Sequence, residues 1–117
     1  MLRREKDMSV ETRERMRGGK GTVFIRHLAE HLPPMCRFYA EITLHPGCSI
    51  GEHEHLGETE LFVFVSGAGM VTDNGTHMKV KAGDATSTPN GHTHSVANTG
   101  TDDLVFIAAI IKDPPAA

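Results

Sequence analysis

Tryptophan is missing from this chain of 117 residues, tyrosine occurs once, and aromatic residues together make up 5% of it. Any interior must therefore be aliphatic with a few phenylalanines. A single-stranded nucleic-acid surface, which needs aromatic side chains set among cations, has no material here. Cysteine occurs only at Cys36 and Cys48, too few for a disulfide-stapled scaffold; the pair reads as free thiols in a reducing cytoplasm. No apolar run approaches the roughly 20 residues that a transmembrane helix needs, and the start shows no signal-like apolar stretch. The formal charge of −3 is too mild to call for nucleic acid or an anionic membrane surface. The expectation is a soluble cytoplasmic protein of one domain, with neither of those partners.

Glycine is plentiful, with twelve residues, and six prolines add further turn signals. From Met1 to Lys20 seven Lys or Arg stand against four acids, so residues 1–21 read as a basic arm, solvated or packed on a partner subunit. Within it, Ser9 to Met16 is the one helix candidate, with Ser9 as cap and Gly18-Gly19 as stop. Beyond Gly21, short apolar runs alternate with turn signals at the spacing of an all-β sandwich or barrel. The runs are Thr22–Leu28, Arg37–Leu44, Ile50–His55, Leu61–Val65, Met70–Thr72, Met78–Lys81, Ala85–Thr88, His94–Ala97 and Leu104–Ile111. Asn74-Gly75 supplies the positive φ angles of a tight hairpin. Residues 22–113 form the β domain in this reading, and 114–117 a tail. Closure into a small antiparallel β-barrel would remove the edge strands. Leu61 to Val65 is apolar on both faces, which calls for cover from a second copy and predicts a homodimer.

The unusual chemistry lies in GEHEHLGETE, Gly51 to Glu60. In a strand, residues i and i+2 point the same way with Cα atoms roughly 6.5–7 Å apart, so His53 and His55 can aim at one point. By parity Glu60 shares a face with Phe62 and Phe64, and a buried carboxylate is costly without a cation beside it. Taken alone, the His pair fits a solvated loop as well as a metal site. A third histidine, His94, opens another strand after the Pro89-Asn90-Gly91 turn.

Gly47, His53, His55, Glu60 and Gly67 fit G(x)5HxH(x)4E(x)6G, and Gly83, Pro89, Gly91, His94 and Asn98 fit G(x)5PxG(x)2H(x)3N. In both motifs the chain resembles the cupin superfamily, in its compact single-domain microbial form. The resemblance covers Phe38 to Ile111 and implies a double-stranded β-helix, or jelly roll, with His53, His55, Glu60 and His94 holding one divalent transition metal. Three imidazoles and a carboxylate leave two positions open in an octahedral site, and Mn, Fe, Ni and Zn all accept such donors. Asn98 and the motif glycines read as turn residues. Glu58 is a rival to Glu60 as ligand, disfavoured by the spacing, and Glu52 and Glu54 should face away.

Phe38, Phe62, Phe64 and Phe106 are candidates for the dry walls of a cavity. His92 shares parity with His94 and is the one candidate catalytic residue beside the ligands. The expected function is that of a mononuclear metal enzyme acting on a small oxygen-rich metabolite, as a dioxygenase or an oxalate-decarboxylase-like lyase. The alternative is a noncatalytic module that binds a metal or small ligand; a regulator's sensing domain would require another polypeptide.

Overall fold

Segments in which apolar and polar side chains alternate pair here as antiparallel strands, and the computed structural model, which describes residues 1–115, contains ten of them. They are β1 (Val10–Glu14), β2 (Thr22–His27), β3 (Cys36–Leu44), β4 (Ser49–Glu54), β5 (Glu58–Ser66), β6 (Ala68–Asp73), β7 (Thr76–Lys81), β8 (Ala85–Thr88), β9 (Thr93–Ala97) and β10 (Leu104–Lys112). Among the described residues, helical structure is confined to two 3-10 turns, Glu5–Asp7 and Met16–Gly18. One sheet has the order β1-β2-β3-β10-β5-β8 and the other β4-β9-β6-β7. This is the all-β jelly-roll architecture that the sequence implies. The two hydrogen-bonded ladders stay separate instead of closing into one barrel, so β1, β8, β4 and β7 are edges. Those edges are blunted by charge and shortness: β8 has four residues, β1 carries Glu11, Arg13 and Glu14, and β7 carries Lys79 and Lys81.

The inward faces meet in an aliphatic and phenylalanine core. Val23, Ile25, Ile42, Leu44, Phe64 and Phe106 come from the six-stranded sheet, and Ile50, Val71, Val80 and Val96 from the four-stranded one. Phe106 is fully buried, with ring centroids 4.7 Å from Phe62 and 5.3 Å from Phe64. On the outer face of the six-stranded sheet, Tyr39, Ala109 and Leu61 stand side by side across β3, β10 and β5, with Ile107 and Val63 in the next row. Tyr39, Leu61, Val63 and Val65 are 41–52% exposed there.

The helix expected over Ser9–Met16 is a correction: Val10–Glu14 is extended and pairs with β2, Val10 opposite Arg26 and Glu14 opposite Thr22. A helix so short is marginal in water, and β-branched Val10 and Thr12 gain more from a ladder along a sheet edge. Between β1 and β2 the chain doubles back through Arg15 and Arg17, both left-handed, and Gly18 and Gly21 at positive φ. The Met16–Gly18 turn then lies against β4, and Met16 packs on the core. Asn74 and Gly75, both at positive φ, form the β6–β7 hairpin as expected. Residues 114 and 115 of the expected tail carry no regular structure, and 116 and 117 lie outside the described residues.

Replacing Phe106 with alanine removes a ring that touches both neighbouring phenylalanines. It is expected to lower unfolding stability by about 3–5 kcal/mol, read from urea denaturation at constant m-value.

Candidate metal centre

The register of the strands delivers the donors. His53 on β4 stands opposite His94 on β9, and Glu60 on β5 stands opposite Thr88 on β8. A bulge between Ile50 and His53 breaks the β4–β9 ladder next to the site, and such irregularities re-aim side chains. His55 lies just past the end of β4, where its backbone N–H donates to the His92 carbonyl (3.1 Å) and its carbonyl accepts from Gly91 N–H (2.7 Å). The Pro-Xaa-Gly turn thus holds the His55 backbone, and the two histidines of the HxH pair reach the site from different backbone settings.

His53, His55, Glu60 and His94 come together with one potential ligand atom from each, all within 4.8 Å of one another. His55, His94 and Glu60 are buried. The His94 Nε2 atom lies 3.0 Å from His55 Nε2, 3.1 Å from His53 Nε2 and 2.9 Å from Glu60 Oε1. His55 Nε2 lies 3.1 Å from Glu60 Oε1, while His53 Nε2 and that oxygen are 4.0 Å apart. For bonds of about 2.1 Å, octahedral neighbours sit about 3.0 Å apart and opposite ligands about 4.2 Å apart, whereas tetrahedral ligands sit about 3.4 Å apart. The four short separations and one long one follow the octahedral pattern, with His53 and Glu60 on opposite sides.

The outward ring nitrogens fix which way the lone pairs point. His53 Nδ1–H donates to the Gly51 carbonyl at 2.8 Å, and a carbonyl can only accept. His55 Nδ1–H donates to Glu58 Oε2 at 2.6 Å. His94 Nδ1 has the Thr88 hydroxyl at 2.9 Å, within the same buried layer. With Nδ1 protonated, a neutral imidazole presents a bare lone pair at Nε2. Burial is the largest influence on His53 and lowers its pKa, which keeps the ring neutral. Lone pairs and a carboxylate oxygen converging on one point repel unless a cation lies among them. The donor set therefore fits a divalent ion.

Glu58 is not a rival ligand in this arrangement; it orients His55. Arg37 on β3 grips both its oxygens at 2.6 Å each, and that guanidinium is the chief reason the Glu58 carboxyl is held at about 2. A group depressed that far favours the folded state above the ordinary carboxylate range, and the contribution fades only as pH falls through about 2. The partner of His55 is thus an anion at any physiological pH. Neither Arg37 nor Thr88 carries a sequence signal for this role, because each acts through a cross-strand contact. Glu58, at i+3 from His55, is the one that local spacing makes visible.

A cavity of about 70 Å³ opens onto the centre. Phe38, Ile42, Ile50, Phe62 and Ile110 give it apolar walls, His53, His55 and Glu60 form its polar end, and Arg13, Met16, Arg17 and Arg37 complete the lining. Phe38 and Phe62 are therefore walls, while Phe64 and Phe106 pack in the core beneath. His94 sits deeper, stacked on Phe62 at 5.1 Å. His92 is half-buried in the turn, and the residues lining the cavity do not include it. Glu52 and Glu54 are exposed, and Asn98 ties the loop after β9 by donating to the Leu44 and Asp102 carbonyls. The arm residues Arg13, Met16 and Arg17 are those that sequence reasoning did not place here.

Replacing Glu58 with alanine removes the acceptor that orients His55. Divalent-metal affinity, measured by chelator competition, is expected to fall about 10–100-fold while the far-ultraviolet circular dichroism spectrum stays that of the wild type.

Residues 40–110 match the cupin domain family. The chain is 42% identical over 113 residues to an oxalate-binding protein of Thermotoga maritima, a match covering 95% of this chain and 93% of that one. It also superposes on the crystal structure of a predicted oxalate decarboxylase from Thermotoga maritima with a TM-score of 0.89 and 40% identity, over 96% of this chain and 99% of the other. The cupin domain of Schizosaccharomyces pombe Cnp3 shares the fold, with a TM-score of 0.73 at 17% identity over 90% of this chain and 70% of that one. With both motifs in place, a matching family over most of its length and a relative aligned nearly end to end, the chain belongs to the cupin family.

Proposed function

We propose that the protein holds one divalent transition metal through His53, His55, Glu60 and His94 and binds on it a small dicarboxylate of the oxalate type. The observation that carries this reading is the set of donor separations, which leaves two adjacent octahedral positions unused by the protein. Adjacent positions suit a ligand that offers two oxygens. The ligand class draws on the relative named as an oxalate-binding protein and on the cavity, whose about 70 Å³ admits only a handful of non-hydrogen atoms. A bound divalent ion would supply Lewis-acid charge to a coordinated oxygen. The chain's own residues do the rest: the apolar walls keep water out, and Glu58, Gly51 and Thr88 hold the imidazoles in place.

Catalysis is the second reading, and the relative described as a predicted oxalate decarboxylase is what favours it. Decarboxylation must end with a proton delivered to carbon, and a decarboxylase or dioxygenase reading assigns His92 as its acid-base residue. Among the described residues lining the cavity, those that titrate near neutrality are the proposed ligands themselves, which supports binding over acid-base chemistry. We read the setting as cytoplasmic, in keeping with free thiols at Cys36 and Cys48. We read the assembly as a two-fold homodimer that covers Tyr39, Leu61, Val63 and Ile107 on the outer face of the six-stranded sheet.

Isothermal titration of oxalate into protein loaded with Mn(II) is expected to show one site per chain, absent after chelator treatment and absent in His55→Ala. Equal oxalate binding without metal overturns the reading, and release of formate or carbon dioxide that tracks metal content moves the protein to the enzymatic one. In sedimentation velocity the wild type is expected to run as a dimer and Leu61→Glu as a monomer; a monomeric wild type at micromolar concentration removes the dimer.

A further inference from the structure

We propose that Arg17, on the arm before β2, is the specificity-determining residue of this cavity: its guanidinium takes the far carboxylate of a dicarboxylate whose near end sits at the His53, His55, Glu60 and His94 centre. The inference rests on the metal-dicarboxylate reading and goes beyond it by assigning the group that separates two-headed anions from one-headed ones.

Charge singles this residue out. Three arginines line the cavity. Arg37 is committed to both oxygens of Glu58, and Arg13 pairs with Glu11 at 3.1 Å. Among the described residues Arg17 makes no ion pair, although it shares the cavity lining with His53, His55 and Glu60. A divalent ion set against Glu60 leaves one positive charge in excess at the buried end, and Arg17 adds a second at the arm. Two positive charges balance a dianion and overshoot a monoanion. The planar fork of a guanidinium also matches the two oxygens of a carboxylate.

The backbone shows that Arg17 is held in place and does not drift with a loose arm. Its φ is 56°, in the left-handed region where a non-glycine residue is disfavoured. A Cβ on Gly51 would run into the Arg17 carbonyl oxygen, and one on Gly19 into the Ser49 carbonyl oxygen, so the arm lies directly on β4. Ser49 N–H donates to the Lys20 carbonyl at 2.8 Å, Lys20 N–H to Ser49 Oγ at 3.0 Å, and Met16 packs on the core. A turn pinned from both sides presents its arginine at a fixed distance from the centre, as recognition of a ligand of fixed length requires.

The test compares oxalate with formate, each titrated into Mn(II)-loaded protein. The readout is the ratio of the two affinities, which a reduced folded fraction leaves unchanged. Arg17→Gly suits the left-handed backbone and removes only the side chain; its ratio is expected to fall at least tenfold, with metal affinity within twofold of the wild type. Arg17→Lys, which keeps the charge and loses the fork, is expected to restore part of it. An unchanged ratio in both Arg17→Gly and Arg17→Gln overturns the assignment while leaving metal-dependent oxalate binding in place. Wild-type protein that binds neither anion overturns the underlying reading and this inference with it.

Discussion

Three imidazole nitrogens and a carboxylate oxygen, crowded to about 3 Å in a buried layer between two sheets, are the constraint around which the molecule is arranged. Nothing in the hydrophobic effect favours such a cluster. Desolvating four polar donors is unfavourable, and the arrangement makes physical sense only where a cation completes it. The same constraint dictates what lies outside. Each ring must be protonated on its outer nitrogen and turned to a single angle, and each has an acceptor of its own: the Gly51 carbonyl, the Glu58 carboxylate and the Thr88 hydroxyl.

Those three acceptors come from β4, β5 and β8, and the guanidinium that fixes Glu58 comes from β3. The centre is thus supported by both sheets, and its geometry is a property of the whole sandwich. The aliphatic and phenylalanine core beneath it, with Phe62 stacked on His94 and leaning on Phe106, turns tight packing into angular precision at the imidazoles. The cavity inherits its shape from the same side chains, since Phe62, Ile42 and Ile50 serve core and wall together.

The sequence made this legible to different depths. Strands from Thr22 onward could be read because their burial alternates residue by residue, and Glu60 could be put on the face of Phe62 and Phe64 by parity alone. The donors could be gathered only through the spacing of two motifs, because His94 is far along the chain from the other three and nothing local links it to them. Arg37 and Thr88 were invisible: each does its work through a partner across a strand pair, and no pattern in its own neighbourhood marks it. The arm was misread for a related reason. Ser9 to Met16 shows a cap and a stop, which are local signals, while the ladder to β2 that decides its conformation is tertiary. Closure into a single barrel was the expected cure for exposed edges, and here charge and brevity at the four edge strands do that work.

The seam between the arm and β4 is a contact of main chain with main chain: the Arg17 carbonyl oxygen lies where a Cβ of residue 51 would be. Position 51 is thereby confined to glycine, whatever side chain position 17 displays. Over evolutionary time the two can part company in their freedom, one frozen by its neighbour and the other open to replacement. A lineage built on this scaffold can exchange what the arm shows to a visitor while the apparatus holding the ion is inherited intact, so that new tastes arise by drift at the rim without renegotiating the interior.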